Sequence, residues 1–144
     1  MKLSTKSRYA VRGLLDLAVN CNGEVGLIRD VASRQTISES YLENVFTVLR
    51  TAGLLESSRG RGGGFRLAKP PHQISVLEVI RSLEGSVSLV GCVDSPTYCN
   101  RSAYCVVRDV WRKSSDNLKQ TLSSITLQDL LEHHKKRITR LGEK

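Results

Sequence analysis

Four cysteines stand at positions 21, 92, 99 and 105, and the last three form a Cys-x6-Cys-x5-Cys run. Disulfides are disfavoured where thiols stay reduced. Structural zinc sites usually bring Cys-x2–4-Cys pairs, which this run lacks. Three thiolates in one loop better suit an iron–sulfur cluster, whose larger body takes wider ligand spacing. From spacing alone, zinc and uncoordinated or redox-active thiols remain open. Cys21 closes an apolar helical stripe and reads as a small buried hydrophobe.

A second segment with chemical potential is Arg59-Gly60-Arg61-Gly62-Gly63-Gly64. It is not a phosphate loop, because Phe65-Arg66 follows where Lys-Ser/Thr would have to stand. It is not a dinucleotide fingerprint either, because it joins two short strand candidates rather than a strand to a helix. The bland alternative is a plain hairpin whose glycines supply positive φ. With two arginines, the loop instead suits a wing that touches DNA, Arg59 and Arg61 meeting a minor groove or flanking phosphates. Upstream, Ser38, Ser40, Tyr41, Glu43 and Asn44 fall in one amino-terminal helical turn. In helix-turn-helix readers this turn meets base edges: hydroxyls donate or accept, Asn pairs with adenine, and Glu accepts from the cytosine amino group. Glu43 has the alternative of a solvated helix residue. Arg50 and Lys6 are candidate phosphate contacts.

The elements that must position these residues follow from periodicity. Ser4 is a candidate cap for a first helix, with Val11, Leu14, Leu15, Ala18 and Val19 on one stripe and Asn22-Gly23 as its stop. Leu27, Val31 and Ala32 mark a short second helix. Ser38 caps a third, whose Leu42, Val45, Phe46 and Leu49 face a core and whose Gly53 stands at the C′ position. Strand candidates at 54–58 and 65–68 flank the glycine loop, which makes a hairpin directly after a helix-turn-helix. Ser75-x-x-Glu78 predicts a capping box for a fourth helix, with Val76, Val79, Ile80 and Leu83 inward. Cys92–Cys105 reads as a loop. A long helix is expected over about 102–123, its apolar stripe broken by a polar middle at 112–117. Val107, Val110, Trp111, Leu118 and Leu122 are its candidate dimer seam. Thr126-x-x-Asp129 caps a last helix, and the basic end from His133 to Lys144 is expected to fray.

The fold class is therefore mainly α: a winged helix-turn-helix over 1–70, then a cysteine-bearing loop and dimerisation helices over 71–144. The chain has 144 residues with 22 Lys+Arg against 14 Asp+Glu, a net charge of +8. Charge of this sign suits a polyanionic partner, nucleic acid before membrane, although it also serves plain solubility. No apolar run approaches the roughly 20 residues of a membrane span. The first residues show no apolar signal segment, so a cytoplasmic protein is expected. No Gly-x-Ser-x-Gly or His-Glu-x-x-His motif occurs, which argues against an enzyme.

Taken together, the opening Met1-Lys2-Leu3-Ser4-Thr5-Lys6-Ser7-Arg8-Tyr9-Ala10-Val11, the stretch Ile37-Ser38-x-Ser40-Tyr41-Leu42-Glu43, the loop Arg59-Gly60-x-Gly62-Gly63-Gly64-Phe65, the three cysteines and Trp111 resemble a known family. It is that of the winged-helix iron–sulfur transcriptional regulators of the IscR and NsrR kinds, with the IscR kind nearer in the recognition helix and wing. The resemblance covers about residues 1–131. It implies a homodimer built on the long helix and a cluster on Cys92, Cys99 and Cys105, [2Fe–2S] before [4Fe–4S]. It also implies palindromic double-stranded operator DNA and repression of cluster-assembly genes. Its alternatives are a nitric-oxide-sensing repressor, or a cluster-free regulator controlled by thiol oxidation or by a partner protein. One departure stands out. The IscR kind carries a histidine ligand three residues after the third cysteine, and that position is Arg108, which cannot ligate iron. The carboxylate that the NsrR kind places near the start of the first helix is here Arg8. Asp109, Asp94 and a residue of a partner subunit are the remaining candidates for a fourth ligand.

Overall fold

The computed structural model describes residues 2–143. Met1, the first residue of the resemblance, and Lys144, the last of the basic tail, lie outside them. Ser4 caps the first helix, α1 (Thr5–Asn20), its hydroxyl accepting the Ser7 N–H at 3.2 Å. Helix α2 (Ile28–Gln35) ends at Thr36, a β-branched residue held left-handed at φ 55°. That conformation is costly for Thr, and it lets the chain reverse within two residues. Ser38 then caps α3 (Glu39–Thr51) by accepting the Tyr41 N–H. Gly53, at φ 78°, turns the chain out of α3.

Strands β1 (Leu55–Ser58) and β2 (Gly64–Leu67) pair antiparallel, Leu55 opposite Leu67 and Ser58 opposite Gly64. Phe65 and Gly26 exchange both backbone hydrogen bonds, at 2.8 and 2.9 Å, so the segment before α2 adds a third edge to the hairpin. A Cβ on Gly64 would collide with the Gly26 carbonyl, so only glycine allows this approach. The core lies beneath: Leu14, Leu17, Val31, Leu42, Phe46, Leu49, Leu54 and Phe65 share one cluster with Ile74, Val79, Leu127 and Leu131. Gly13 lets Phe46 under α1, because a Cβ there would come within 2.6 Å of the ring.

Helix α4 (Val76–Glu84) is capped by Ser75, but the expected box is only half made. Glu78 turns instead to Lys69, at 2.6 Å, which stands close enough to compete for its carboxylate. Val76 packs half-buried against the cluster of Leu77, Ile80 and Val87, and Leu77, which the stripe passed over, is the more deeply buried of the two. The loop expected at 92–105 contains regular structure: a one-turn helix α5 (Gly91–Asp94) and a 3-10 turn at Pro96–Tyr98. Helix α6 (Val106–Ser124) begins later than expected, with Cys105 as its N-cap residue. The expected seam divides. Leu118 and Leu122 pack on Leu77, Ile80 and Val87 of the same chain. Val106, Val107, Val110 and Trp111 stay exposed, Val106 at 77%. The polar middle of α6 has a buried purpose: Ser115 is fully buried, donating to the Trp111 carbonyl at 2.7 Å and accepting the Leu89 N–H at 3.0 Å. Helix α7 (Leu127–Gly142) has the full capping box of Thr126 and Asp129. The helix continues past His133, where fraying is expected, to Gly142. Ile138 and Leu141 continue its helical period, and no Gly or Pro interrupts it before Gly142.

Candidate nucleic-acid interface and cysteine site

The face of α3 opposite its buried residues is open. Ser38, Ser40, Glu43, Asn44, Thr47 and Arg50 are exposed. Tyr41 is not free in the way its neighbours are: it is half-buried, and its ring meets that of Tyr9 edge-on at 5.8 Å. The Arg12 guanidinium lies 5.3 Å from the other partner, the Tyr9 ring. The Ser38 hydroxyl already accepts one bond in the helix cap, which leaves its proton and one lone pair free. Lys6 joins Tyr41, Asn44, Val45, Val48 and Leu83 around a groove, so the α1 terminus sits beside the first turns of α3. Thr47 belongs to the same open face; sequence reasoning passed over it because it lies one turn beyond the favoured amino-terminal positions.

Polar contacts fix α2 on α1 behind this helix and tie the helix itself to the wing. Asp16 of α1 is buried, its side chain 2% exposed, and accepts from Arg34 Nε at 3.0 and 3.1 Å, from Arg34 Nη2 at 2.6 Å and from Gln35 Nε2 at 2.9 Å. Arg12 donates to the Gln35 carbonyl and side chain from the surface. At the wing, Arg50 donates to the Ser57 hydroxyl at 3.2 Å, which ties α3 to β1. Arg66 pairs with Glu56 across the hairpin at 2.7 Å. Arg59 and Arg61 sit at the exposed tip and have no hydrogen bond or ion pair among the described residues. Gly60 and Gly62 have φ of 90° and 74°, and Gly63 has no room for a Cβ against the Ser58 carbonyl. The wing thus carries two uncommitted cations on a tip whose shape glycine fixes.

The cysteine segment is a separate module at the head of α6. Cys92 lies in α5, Cys99 follows the Pro96–Tyr98 turn, and Cys105 precedes α6. All three thiols are free and half-buried, as is Cys21. Cys21 packs against the core but is half-buried rather than buried as expected, and burial pushes its thiol up from the ordinary pKa against the opposing pull of Arg34. Gly91 allows the module to fold on itself, since a Cβ would meet the Tyr98 ring at 2.7 Å. Arg108 reaches back from α6 to donate to the Cys92 carbonyl at 2.7 Å. Among the described residues, no three His, Cys, Asp or Glu side chains are placed to hold a metal ion together. By donor chemistry, three unpaired thiols on one short segment fit an iron–sulfur group on three of its four usual positions. Asp94 is taken up by the Ser86 and Ser88 hydroxyls, which hold its carboxyl below the usual range, Ser86 most. Asp109 pairs with Arg112 at 2.8 Å on the surface.

Comparison with known proteins adds the following. Residues 3–133 match the model of the Rrf2 family, described as an iron-dependent transcriptional regulator. The chain is similar to the protein rrf2 of Nitratidesulfovibrio vulgaris, 39% identical over 91% of this chain and 87% of that one. It is similar to the HTH-type transcriptional regulator IscR of Escherichia coli, 40% identical over 91% of this chain and 80% of that one. Among solved structures it is similar to IscR of T. potens, with 36% identity, TM-score 0.77 and coverage of 95% and 90%. It is also similar to CymR, the global cysteine regulator of B. subtilis, with 33% identity, TM-score 0.76 and coverage of 92% and 98%. No helix among the described residues is long and apolar enough to cross a membrane.

Proposed function

The chain belongs to the Rrf2 family, and from that premise we propose that it senses an iron–sulfur cluster and represses cluster-assembly genes. It is a DNA-binding transcription regulator with a winged-helix fold, and not an enzyme. The observation that carries the sensing role is the position of the thiols. Cys92, Cys99 and Cys105 end directly at α6, whose Val106–Trp111 face is bare. A change in that segment therefore acts where an apolar helix face has to be covered. We assign the covering to a second copy, making a homodimer whose two-fold axis is mirrored in a palindromic operator.

In this reading residues 1–70 read DNA and 71–144 carry the signal. Ser38, Ser40, Tyr41, Glu43 and Asn44 select sequence, Tyr41 partly as a support for its neighbours, while Arg59 and Arg61 supply affinity. Cys92, Cys99 and Cys105 hold the cluster, [2Fe–2S] before [4Fe–4S], in the cytoplasm. When bound, it supplies a redox- and iron-responsive centre. The protein's own contribution is to fix the Cys92 backbone through Arg108 and to present the head of α6. Binding can shift DNA affinity only as far as it favours one arrangement of the two readers over another.

A second reading, a cluster-free regulator controlled through its thiols or a partner protein, is favoured by the dispersed donors and by Arg108 at the position of the fourth ligand. Anaerobic purification separates the two. The first reading expects brown protein with iron and sulfide in every chain, a dimeric mass at micromolar concentration, and an altered set of bound operators in the triple Cys→Ala variant at 92, 99 and 105. Colourless wild-type protein after reconstitution, or one DNA-binding profile for both proteins, overturns it.

A further inference from the structure

Helices α1, α2 and α7 leave a cavity of about 340 Å³ between them, a volume within the range of small-molecule sites. Leu15 and Val19 of α1 line it and stay half-buried, so the core does not close over their apolar surface. Polar groups from all three helices face the same space: Arg12 from α1, Arg34 and Gln35 from α2, and His134 from α7. Among the described residues, none of α3 and none of the wing lines it.

The polar groups are donors in surplus. The Asp16 carboxylate is engaged by Arg34 and Gln35, and Gln35 Oε1 accepts from Arg12 at 3.1 Å. Both arginines bond through Nε and Nη2, which leaves each Nη1 without a partner among the described residues. His134 is half-buried and has no hydrogen bond or ion pair among the described residues. Guanidinium only donates, and an imidazole carries an N–H in either tautomer. Two guanidinium charges against one carboxylate leave one positive charge over. The complement is a monoanion with an apolar body, and guanidinium matches carboxylate in shape as well as charge. An amino acid fits worse, because its ammonium group would face the surplus cation. Arg34 is held on buried Asp16 before any ligand arrives, so little order has to be imposed on binding.

The cavity also touches the turn that sets α3. Gln35 is the last residue of α2, and Thr36 and Ile37 alone separate it from the Ser38 cap. We propose that this cavity binds a short-chain aliphatic monocarboxylate, its carboxylate on Arg12, Arg34 and His134 and its chain on Leu15 and Val19, and that occupancy changes DNA affinity through the α2–α3 turn. The site shares no residue with the cysteine segment, so it is an input separate from the thiols and independent of whether they hold a cluster. The coupling is reciprocal: the factor by which the ligand changes DNA affinity is the factor by which DNA changes ligand affinity.

The probe is isocaproate, titrated into the isotope-labelled full chain and followed through backbone amide resonances. Saturable shifts are expected at Leu15, Val19, Gln35 and His134. Isocaproamide keeps the chain and loses the charge, and acetate keeps the charge and loses the chain; each should bind about tenfold more weakly or worse. Arg12→Gln and His134→Ala should each weaken isocaproate about fivefold, with thermal midpoints near that of wild type. Arg34 is left in place, because buried Asp16 depends on it. Fluorescence anisotropy with a duplex that the protein binds, with and without saturating isocaproate, reads the coupling, and the two affinities should shift by one common factor. Absence of saturable shifts at these residues, or isocaproamide binding as well as isocaproate, overturns the site. Unchanged DNA affinity at saturation overturns the coupling. A wild type that ignores isocaproate while Arg12→Gln flattens the salt dependence of DNA binding overturns the proposal and makes Arg12 a phosphate contact.

Discussion

The wing offers the sharpest quantitative test of DNA binding, because its three arginines differ in what they already touch. Arg66 is committed to Glu56 at 2.7 Å, whereas Arg59 and Arg61 have no partner among the described residues. A protein cation that neutralises one phosphate adds about 0.9 to the slope of log affinity against log salt. Replacing Arg59 by Ala should therefore flatten the slope by about 0.9, and replacing both Arg59 and Arg61 by about 1.8. Between 50 and 200 mM salt, a fourfold change, each lost contact spares the variant about 3.5-fold in affinity relative to wild type. Arg66→Ala should change the slope by much less, since its charge is balanced across the hairpin. The assay is fluorescence anisotropy with one specific and one random duplex at four salt concentrations. Both duplexes should respond alike if the contacts are to phosphates. If Arg66→Ala flattens the slope as much as Arg59→Ala, the assignment of free and committed cations is wrong. If Arg59→Ala abolishes only an A·T preference beside the site, the arginine reads groove width instead.

Three further outcomes follow from buried contacts. Arg34→Ala leaves the Asp16 carboxylate buried without its cation, so it should cost about 3 kcal/mol; Asp16→Ala leaves a more exposed arginine and should cost about 1–2 kcal/mol. Urea unfolding of both single variants and the double variant checks this, and equal losses would refute the asymmetry. Gly13→Ala must push Phe46 away from α1, and overpacking of this kind should cost about 1–3 kcal/mol, read from the thermal midpoint; an unchanged midpoint would show the ring has room to move. Glu84 is held below its ordinary carboxylate pKa by the Ser4 and Ser7 donors, Ser4 foremost. Its contribution is complete above that ordinary value and lost as pH falls through the depressed one. The gap in urea midpoint between wild type and Glu84→Gln should be widest at neutral pH and close in acid; a gap independent of pH would remove Glu84 from the account.

What the sequence made legible was local. Ser4, Ser38 and Thr126 are legible as caps because a short polar side chain just before a helical stripe can accept from the free N–H groups of the first turn. Gly53 and the glycines of the wing were readable because left-handed backbone favours glycine. The reading weakened where a distant residue decides. Glu78 left its capping box for Lys69, nine residues upstream. Helix α5 is one turn long and too short to show a period. Ser115 looks like a break in an apolar stripe until the Leu89 backbone is brought against it. The commitment of Tyr41 to Tyr9 depends on how α1 crosses α3, which no stripe encodes. His134 gave no signal at all, since one histidine in a basic tail is ordinary until its surroundings are known.

The physical link between the cysteine module and the proposed DNA-reading face runs through few elements. The segment before α5 is pinned to α6 by the Leu89–Ser115 bond, and Leu118 and Leu122 of α6 rest on Leu77, Ile80 and Val87. Leu77 and Ile80 lie on α4, whose Val79 belongs to the larger core and whose Glu84 holds the amino terminus of α1 through Ser4 and Ser7. Leu83, the residue before Glu84, lines the groove with Lys6, Tyr41 and Asn44. Helix α4 therefore touches both the support of α6 and the start of the reading surface. In a close-packed interior, a shift of α6 against Leu77 and Ile80 has to be absorbed at this helix or passed along it. Passing it on moves the α1 terminus relative to α3, where small displacements change which base edges are within hydrogen-bond reach. Absorbing it leaves the reading face alone and changes only how two copies sit across α6. The first alters sequence preference and the second alters preferred half-site spacing, so the kind of operator change that accompanies loading of the cysteines identifies which of the two the fold uses.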